Sequence, residues 1–342
     1  MHLNFLDVLS NLVGLFLLIG VGYFSAKAGI LPERSSELCT RLLMKITLPC
    51  TVFVSLLNDY DPAFLSTTLK LIGLGFILFP LNSLLAKPLA RVFRVESEHR
   101  GVWEFAGTYC NNGFMGFPIA LALFGAEGLA QAAIFGIPFN VLVYTSGAQT
   151  ICRDTQAKQQ AKFNWRTVLF TGVNLATALG LVFYFGRWSV PAMLLTPLTH
   201  LSAMTTPLSM IITGINLTKS SIAETFRCRD ALTASLNRLL LMPMVSYLVL
   251  LAWGRVFSFD SACMFGVVFI IMCMPTAAAC TSLSEMYGAD REFAALCVFE
   301  QPFLHFKHSG DVAAAVKGTK RKNILKTLAY CAVMGYSVSV RI

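Results

Sequence analysis

Charge is what this chain has least of: of 342 residues, 27 are Lys or Arg and 18 are Asp or Glu, together 13%. An ordinary soluble domain carries about 25%, so a fold wetted on every face is excluded. Carboxylates are the scarcer sign. No apolar run carries a pair of them, which removes the usual mark of a sodium or proton relay and leaves coupling open. Ten cysteines are present, but no CxxC pair, and most stand in apolar context, so neither a zinc site nor a disulfide framework is expected. HExxH, GxSxG and P-loop patterns are missing as well. Catalysis is left without support, and no enzyme, cofactor or metal is expected.

What the chain has instead is apolar length: 56% of it is hydrophobic and the mean hydropathy is +0.65. Runs of roughly 20 apolar residues, enough to cross a bilayer, place helices near 5–26, 36–57, 64–86, 102–123, 127–150, 167–186, 191–216, 231–252 and 261–284. A tenth begins near 292. The fold class expected is therefore an all-α integral membrane protein of about ten transmembrane helices. The first run, Phe5 to Ser25, lacks a basic start and a small-residue cleavage site, so it reads as a retained helix and not a signal.

The cations cluster between the runs. Lys27 and Arg34, then Lys87, Arg91, Arg94 and Arg100, then Arg153, Lys158, Lys162 and Arg166, then Lys219, Arg227 and Arg229 fill the odd-numbered loops. The even loops carry little beyond Arg187 and Arg255, and the stretch Asn58 to Asp61 is acidic. The positive-inside bias puts the odd loops in the cytoplasm and the N-terminus outside. These clusters have no interleaved aromatics on one polar face, so the net charge of +9 is topogenic and nucleic acid is not an expected partner.

The two halves echo each other. Ile46, Thr47, Leu48, Pro49 in the second span resembles Met204, Thr205, Thr206, Pro207 in the seventh. Phe124, Gly125, Ala126, Glu127 with Ala130 resembles Tyr287, Gly288, Ala289, Asp290 with Ala294. Both pairs lie about 160 residues apart, which fits two five-helix repeats, 1–160 and 161–342. Five is odd, so the second copy enters from the opposite face, an inverted repeat common among secondary transporters.

Asn111, Asn112, Gly113, Phe114, Met115, Gly116, Phe117, Pro118 interrupts the fourth span, and Met274, Pro275, Thr276 and Ala277 to Ala279 interrupts the ninth. Broken backbone at membrane depth is tolerated only against protein or a polar cavity, so the two breaks are expected to cross at a ligand site. Each second half-helix starts with unpaired N–H groups and a positive dipole end, which favours an anion. The amides of Asn111 and Asn112 add polarity without the cost of a buried charge. The expected substrate-binding residues are Asn111, Asn112, Gly113, Gly116, Pro118, Asn140, Pro275 and Thr276, with Pro49 and Pro207 as structural helix breaks. Lys45 and Arg238 either balance an anion, stabilise a broken segment or snorkel to the interface. Glu104 is expected at the interface and His200 as a packed histidine.

Asn112, Gly113, Phe114, Gly116 and Pro118, with Leu48 and Pro49, Arg238 and Pro243, and Met274 to Ala277 followed by Tyr287 and Gly288, resemble the auxin efflux carrier family, which shares the bile-acid and sodium symporter-like fold. The resemblance covers residues 1 to about 299. It implies ten helices with both ends outside, and a crossover of the fourth and ninth spans. It also implies a scaffold of spans one, two, six and seven, with a transport unit made from the rest. Family substrates are organic anions such as auxin, malonate or malate. The short loop from Cys152 to Phe163 resembles the bacterial form and an inner (plasma) membrane location. The partners implied are a small organic anion and the lipid bilayer, and a homodimer is allowed.

The C-terminus departs from the family. After Phe299 come Glu300, Gln301, Pro302, His305, Lys307, His308 and Asp311, then Lys317, Lys320, Arg321 and Lys322. Two readings stand: a lost reading frame near residue 300, giving a transport-defective member, or an extended loop with a short last helix from Ile324 to Val340. A membrane receptor or sensor of carboxylates is the rival class.

Overall fold

The computed structural model describes residues 5–32, 34–57, 63–153, 171–218, 228–257 and 262–299. The cationic loop residues Lys158, Lys162, Arg166, Lys219 and Arg227, the acidic stretch 58–61, the boundary between halves near 160 and everything from Glu300 onward lie outside them. Among the described residues every regular element is helical, and the sole pairing of extended backbone is one isolated bridge.

The elements are α1 (Phe5–Lys27), α2 (Arg34–Ser55), α3 (Ala63–Val92), α4 (Arg100–Thr108), α5 (Asn112–Cys152), α6 (Gly172–Gly186), α7 (Ala192–Ala203), α8 (Thr205–Leu217), α9 (Arg229–Val256), α10 (Ala262–Cys273), α11 (Ala279–Tyr287) and α12 (Arg291–Phe299). The stretches Arg34–Ser55, Phe64–Val92, Asn112–Cys152 and Arg229–Val256 are each long and apolar enough to cross a membrane. The chain is a membrane protein, all-helical over its described residues. α5 joins the second half of the fourth span to the whole fifth span, and the join is Gly125, at φ 66° and ψ −158°. Its sequence echo Gly288 closes α11 at φ 67°. Both echo positions thus require the positive φ that glycine adopts without a Cβ penalty.

Three prolines sit just beyond widened turns. Of the four five-residue π turns among the described residues, Leu43–Thr47, Asn112–Gly116 and Asn237–Leu241 are each followed two residues later by proline, at Pro49, Pro118 and Pro243, and Val143–Gly147 is not. A proline has no N–H and its ring clashes with the carbonyl four residues back. That carbonyl belongs to Lys45, Phe114 or Leu239, inside the π turn in every case, so one extra residue per turn relieves the clash. α2 therefore runs on through Pro49, whereas the seventh span is interrupted at Met204, three residues before Pro207.

Packing falls into two groups. α1 and α8 touch backbone to backbone: a Cβ at Gly22 would lie 2.2 Å from the Ile211 oxygen, and one at Gly214 would lie 2.1 Å from the Ile19 oxygen. Small residues are how membrane helices approach so closely. The Thr51 hydroxyl of α2 meets the Thr205 hydroxyl at 2.6 Å and donates to the Ser202 carbonyl at 3.2 Å, tying α2 to the interruption between α7 and α8. The second group centres on α3, α4, α5, α9 and α10, and it holds the largest buried side chains, Trp103, Arg238, Tyr109, Phe79, Phe105, Phe135 and Phe269. α10 is buried from Met264 to Cys273 apart from its Phe265 side chain. α7 lies at the other extreme and buries no residue. His200 is exposed there, so the expectation of a packed histidine is corrected.

Candidate substrate site at the helix crossover

The interruptions of the fourth and ninth spans meet. α4 ends at Thr108, Tyr109 turns extended, and the chain pairs antiparallel with the segment after α10 at Cys110 and Thr276. The Asn111 N–H donates to the Pro275 carbonyl at 2.7 Å, and the Ala277 N–H donates to the Tyr109 carbonyl at 2.9 Å. Two helices that lose their own backbone bonds at the same depth thus satisfy part of the loss in each other, as a medium without water demands.

Arg238 closes what remains on one side. Its guanidinium, 0% exposed, donates from Nε to the Met274 carbonyl at 2.8 Å and from Nη1 to the carbonyls of Gly107 at 3.0 Å and Thr108 at 3.4 Å. Nη2 donates to the Met272 carbonyl. These oxygens belong to the last turns of α4 and α10, where carbonyls lack helical partners and the dipole is negative. Of the roles weighed for Arg238, stabilising the broken segments is the one its contacts match. Lys45, by contrast, is exposed. Glu104, near the start of α4, is 2% exposed and accepts from Arg153 at 2.7 and 3.0 Å, so its carboxylate is paired within the protein.

The N-terminal ends differ. Asn111 caps the helix that follows it, its Oδ1 accepting from the Phe114 N–H at 3.2 Å. Ala278 stands at the equivalent position before α11 and supplies no side-chain cap. Both starts face one cleft of about 80 Å³, lined by Asn111, Asn112, Gly113, Asn140, Tyr144 and Ala277 to Ala279 among others. Asn112 is 3% exposed and its Oδ1 has no hydrogen-bond partner among the described residues. A second cleft, about 260 Å³, also reaches Asn111 and Ala278 and is lined by Ser36, Glu37, Thr40, Thr213, Asn216, Thr281 and Ser282.

Of the expected site residues, Asn111, Asn112, Gly113 and Asn140 come together in the smaller cleft. Gly116 backs it: a Cβ there would meet Asn112 Oδ1 at 3.3 Å and the Asn111 carbonyl at 3.4 Å. Pro118 is buried in the first turn of the helix beyond. Pro275 and Thr276 form the crossover itself, and the Thr276 hydroxyl donates to the Ala106 carbonyl at 3.1 Å.

Residues 7–303 match the family described as Membrane transport protein. The chain belongs to this family of auxin efflux carriers. An uncharacterized transporter of Methanocaldococcus jannaschii is 29% identical over 239 residues, 68% of this chain and 75% of that protein. One of Methanothermobacter thermautotrophicus is 26% identical over 305 residues, 88% of this chain and 95% of its own length. Membrane transport is accordingly the activity of the family, and both relatives are named as transporters.

Within this carrier, sequence reasoning missed Asn174, whose Oδ1 accepts from Asn140 Nδ2 at 2.7 Å across the cleft wall. It also missed the hydroxyl and amide lining of the larger cleft, where the Ser36 hydroxyl donates to Asn216 Oδ1 at 2.5 Å. Single Ser, Thr and Asn residues inside apolar runs carry no spacing signal, so only the fold gathers them. Among the described residues one group has metal-ligand spacing, Glu96, His99 and Asp230. Its His99 and Asp230 side chains are already engaged. His99 Nδ1 lies 2.9 Å from Asp230, Nε2 lies 3.3 Å from Asp290, and Asp230 also accepts the Glu96 N–H at 3.0 Å. This group ties together the starts of α4, α9 and α12, away from the crossover.

Proposed function

We propose that this family member is a secondary carrier that moves small organic anions, carboxylates of the malate, malonate or auxin-like kind, by alternating access. One observation carries the reading. At the crossover the negative helix ends are covered by Arg238, while the positive ends open on a cleft with Asn111 and Asn112. A carboxylate fits such a place because aligned N–H groups and a positive dipole end stabilise an anion, by up to about 2 kcal/mol when partly buried. The unpartnered Oδ1 of Asn112 adds a taste for a guest that also carries a hydrogen-bond donor.

The same reading makes 1–160 and 161–342 two inverted repeats. In support, the second span meets the seventh at Thr51 and Thr205, the fourth meets the ninth at Cys110 and Thr276, and Gly125 and Gly288 share a positive φ. With the odd loops in the cytoplasm, both clefts lie on the cytoplasmic side of the crossover, an inward-facing arrangement in a plasma membrane. The substrate-binding residues in this reading are Asn111, Asn112, Gly113 and Asn140, with Gly116, Pro118, Pro275 and Thr276 shaping the crossover.

The test is flux of labelled malate and malonate in proteoliposomes. Asn112→Ala is expected to cut uptake at least tenfold, worth about 1.4 kcal/mol, while the protein still inserts. Flux equal to wild type would remove Asn112 from the site. A transport-defective form is the second reading, favoured by the family match ending at residue 303, just after the sequence departs at residue 300. Resequencing the locus for an alternative frame that encodes an apolar helix decides it.

A further inference from the structure

Resting on that alternating-access reading, we infer that the crossover carries one unneutralised positive charge through the membrane field. The empty carrier is then its voltage-sensing form, and a bound monoanion makes the loaded carrier electrically silent. The four half-helix ends at the crossover are two positive and two negative, about half a charge each, and they cancel in sum. Formal charge is what is left.

Among the described residues the buried charged side chains are Glu104, Asp230 and Arg238. Glu104 is matched by Arg153 at 2.7 Å, and Asp230, bonded to His99 at 2.9 Å, stands beside Arg229 at the start of α9, away from the crossover. Arg238 has carbonyls for partners and forms no ion pair among the described residues. Its charge is intrinsic to the clamp, because a neutral amide offers two donors where the guanidinium offers five. Depth follows from the helix: Arg238 is nine residues beyond Arg229 at the start of α9, about 14 Å at 1.5 Å per residue. It bonds to both helix interruptions, so any movement of the crossover relative to the bilayer displaces this charge through the field.

The consequence is asymmetric. One charge crossing the full field redistributes two states about 50-fold per 100 mV, and only the empty limb feels it when the guest is a monoanion. A dianion leaves the loaded limb with one net negative charge and moves part of the voltage dependence there. An inside-negative membrane draws the empty carrier inward.

The experiment needs no substrate. Purified full chain is reconstituted in planar bilayers, voltage steps are applied without carboxylate, and transient charge movement is recorded, with malonate and malate flux measured on the same preparation. Wild type is expected to show a saturating transient of apparent valence up to one elementary charge. Arg238→Lys keeps the transient and Arg238→Gln abolishes it. The Lys variant and the wild type carry the test if the Gln variant does not fold. Flux without charge movement in the wild type overturns the inference and leaves the carrier reading standing, as does an undiminished transient in folded Arg238→Gln. Charge movement without flux upholds the inference and overturns the carboxylate reading, and the absence of both overturns both.

Discussion

At the crossover the C-terminal ends of α4 and α10 are closed by Arg238, whose Nε and Nη1 reach the Met274 and Gly107 carbonyls at 2.8 and 3.0 Å. The N-terminal end of α11 begins at Ala278 without a side-chain cap and opens on both clefts. The two kinds of end carry opposite partial charge and sit side by side. A fold that only needed to repair a broken helix would close both. Closing the negative ends with a permanent cation, while the α11 start is left without a cap, is what selects an anionic guest in the proposed mechanism.

The largest effect is expected where the closed ends are reopened. Arg238→Met keeps an unbranched apolar stem and strips the carbonyls of their donors in a site with no exposure. Hydrogen bonds to a charged group contribute about 1.5–3 kcal/mol each, and three good ones act together here. A loss of about 4 kcal/mol or more is expected, read as a fall of roughly 10 °C in the melting temperature of the purified protein. A variant as stable as wild type would mean that water or a neighbouring donor replaces the guanidinium.

The closed and open ends were unequally legible in the sequence. The interruptions themselves were plain, because Asn, Gly and Pro inside runs of apolar residues leave few ways to satisfy a backbone. Their meeting was expected from the internal echo, and the geometry places Cys110 against Thr276. The destination of Arg238 was not readable, since its partners are main-chain oxygens of Gly107, Thr108, Met272 and Met274, which no side-chain identity announces. The same holds for the effect of proline. Pro49 looks like a break in sequence, yet a π turn over Leu43–Thr47 absorbs it, and whether a helix breaks or widens depends on the neighbours it packs against. The donor role of the Thr276 hydroxyl toward the Ala106 carbonyl was equally unreadable, because its partner is again a main-chain oxygen.

A middling effect, of opposite sign in two measurements, is expected from closing the open end. Ala278→Asp places a carboxylate at the N-cap of α11, where an acidic cap stabilises a helix by about 0.5–2 kcal/mol. The melting temperature should rise by a few degrees. The same carboxylate occupies the position proposed for the guest, so malate and malonate uptake should fall about tenfold or more. Ala278→Ser supplies a neutral cap and separates the two causes: it should gain stability and retain flux. An Asp variant that keeps full uptake would show that the α11 end does not read the anion.

The smallest effect tests whether the cleft wall belongs to one conformation only. Asn140 on α5 donates to Asn174 on α6 at 2.7 Å, a polar link between the group built around α5 and the group built around α2, to which α6 belongs by packing Phe183 against Phe53. Neutral hydrogen bonds of this kind contribute about 0.5–1.5 kcal/mol, too little to matter to a fold with this much buried apolar surface. If the groups slide past each other during transport, however, the bond exists in one state and not in the other, and its removal shifts the ratio of states by about twofold to twelvefold. Asn140→Ala should therefore leave the melting temperature within about 3 °C of wild type and change the accessibility of an engineered cysteine in the larger cleft by that factor. Equal labelling rates in both proteins would mean that α5 and α6 move together, and that the boundary between the moving and fixed parts runs elsewhere.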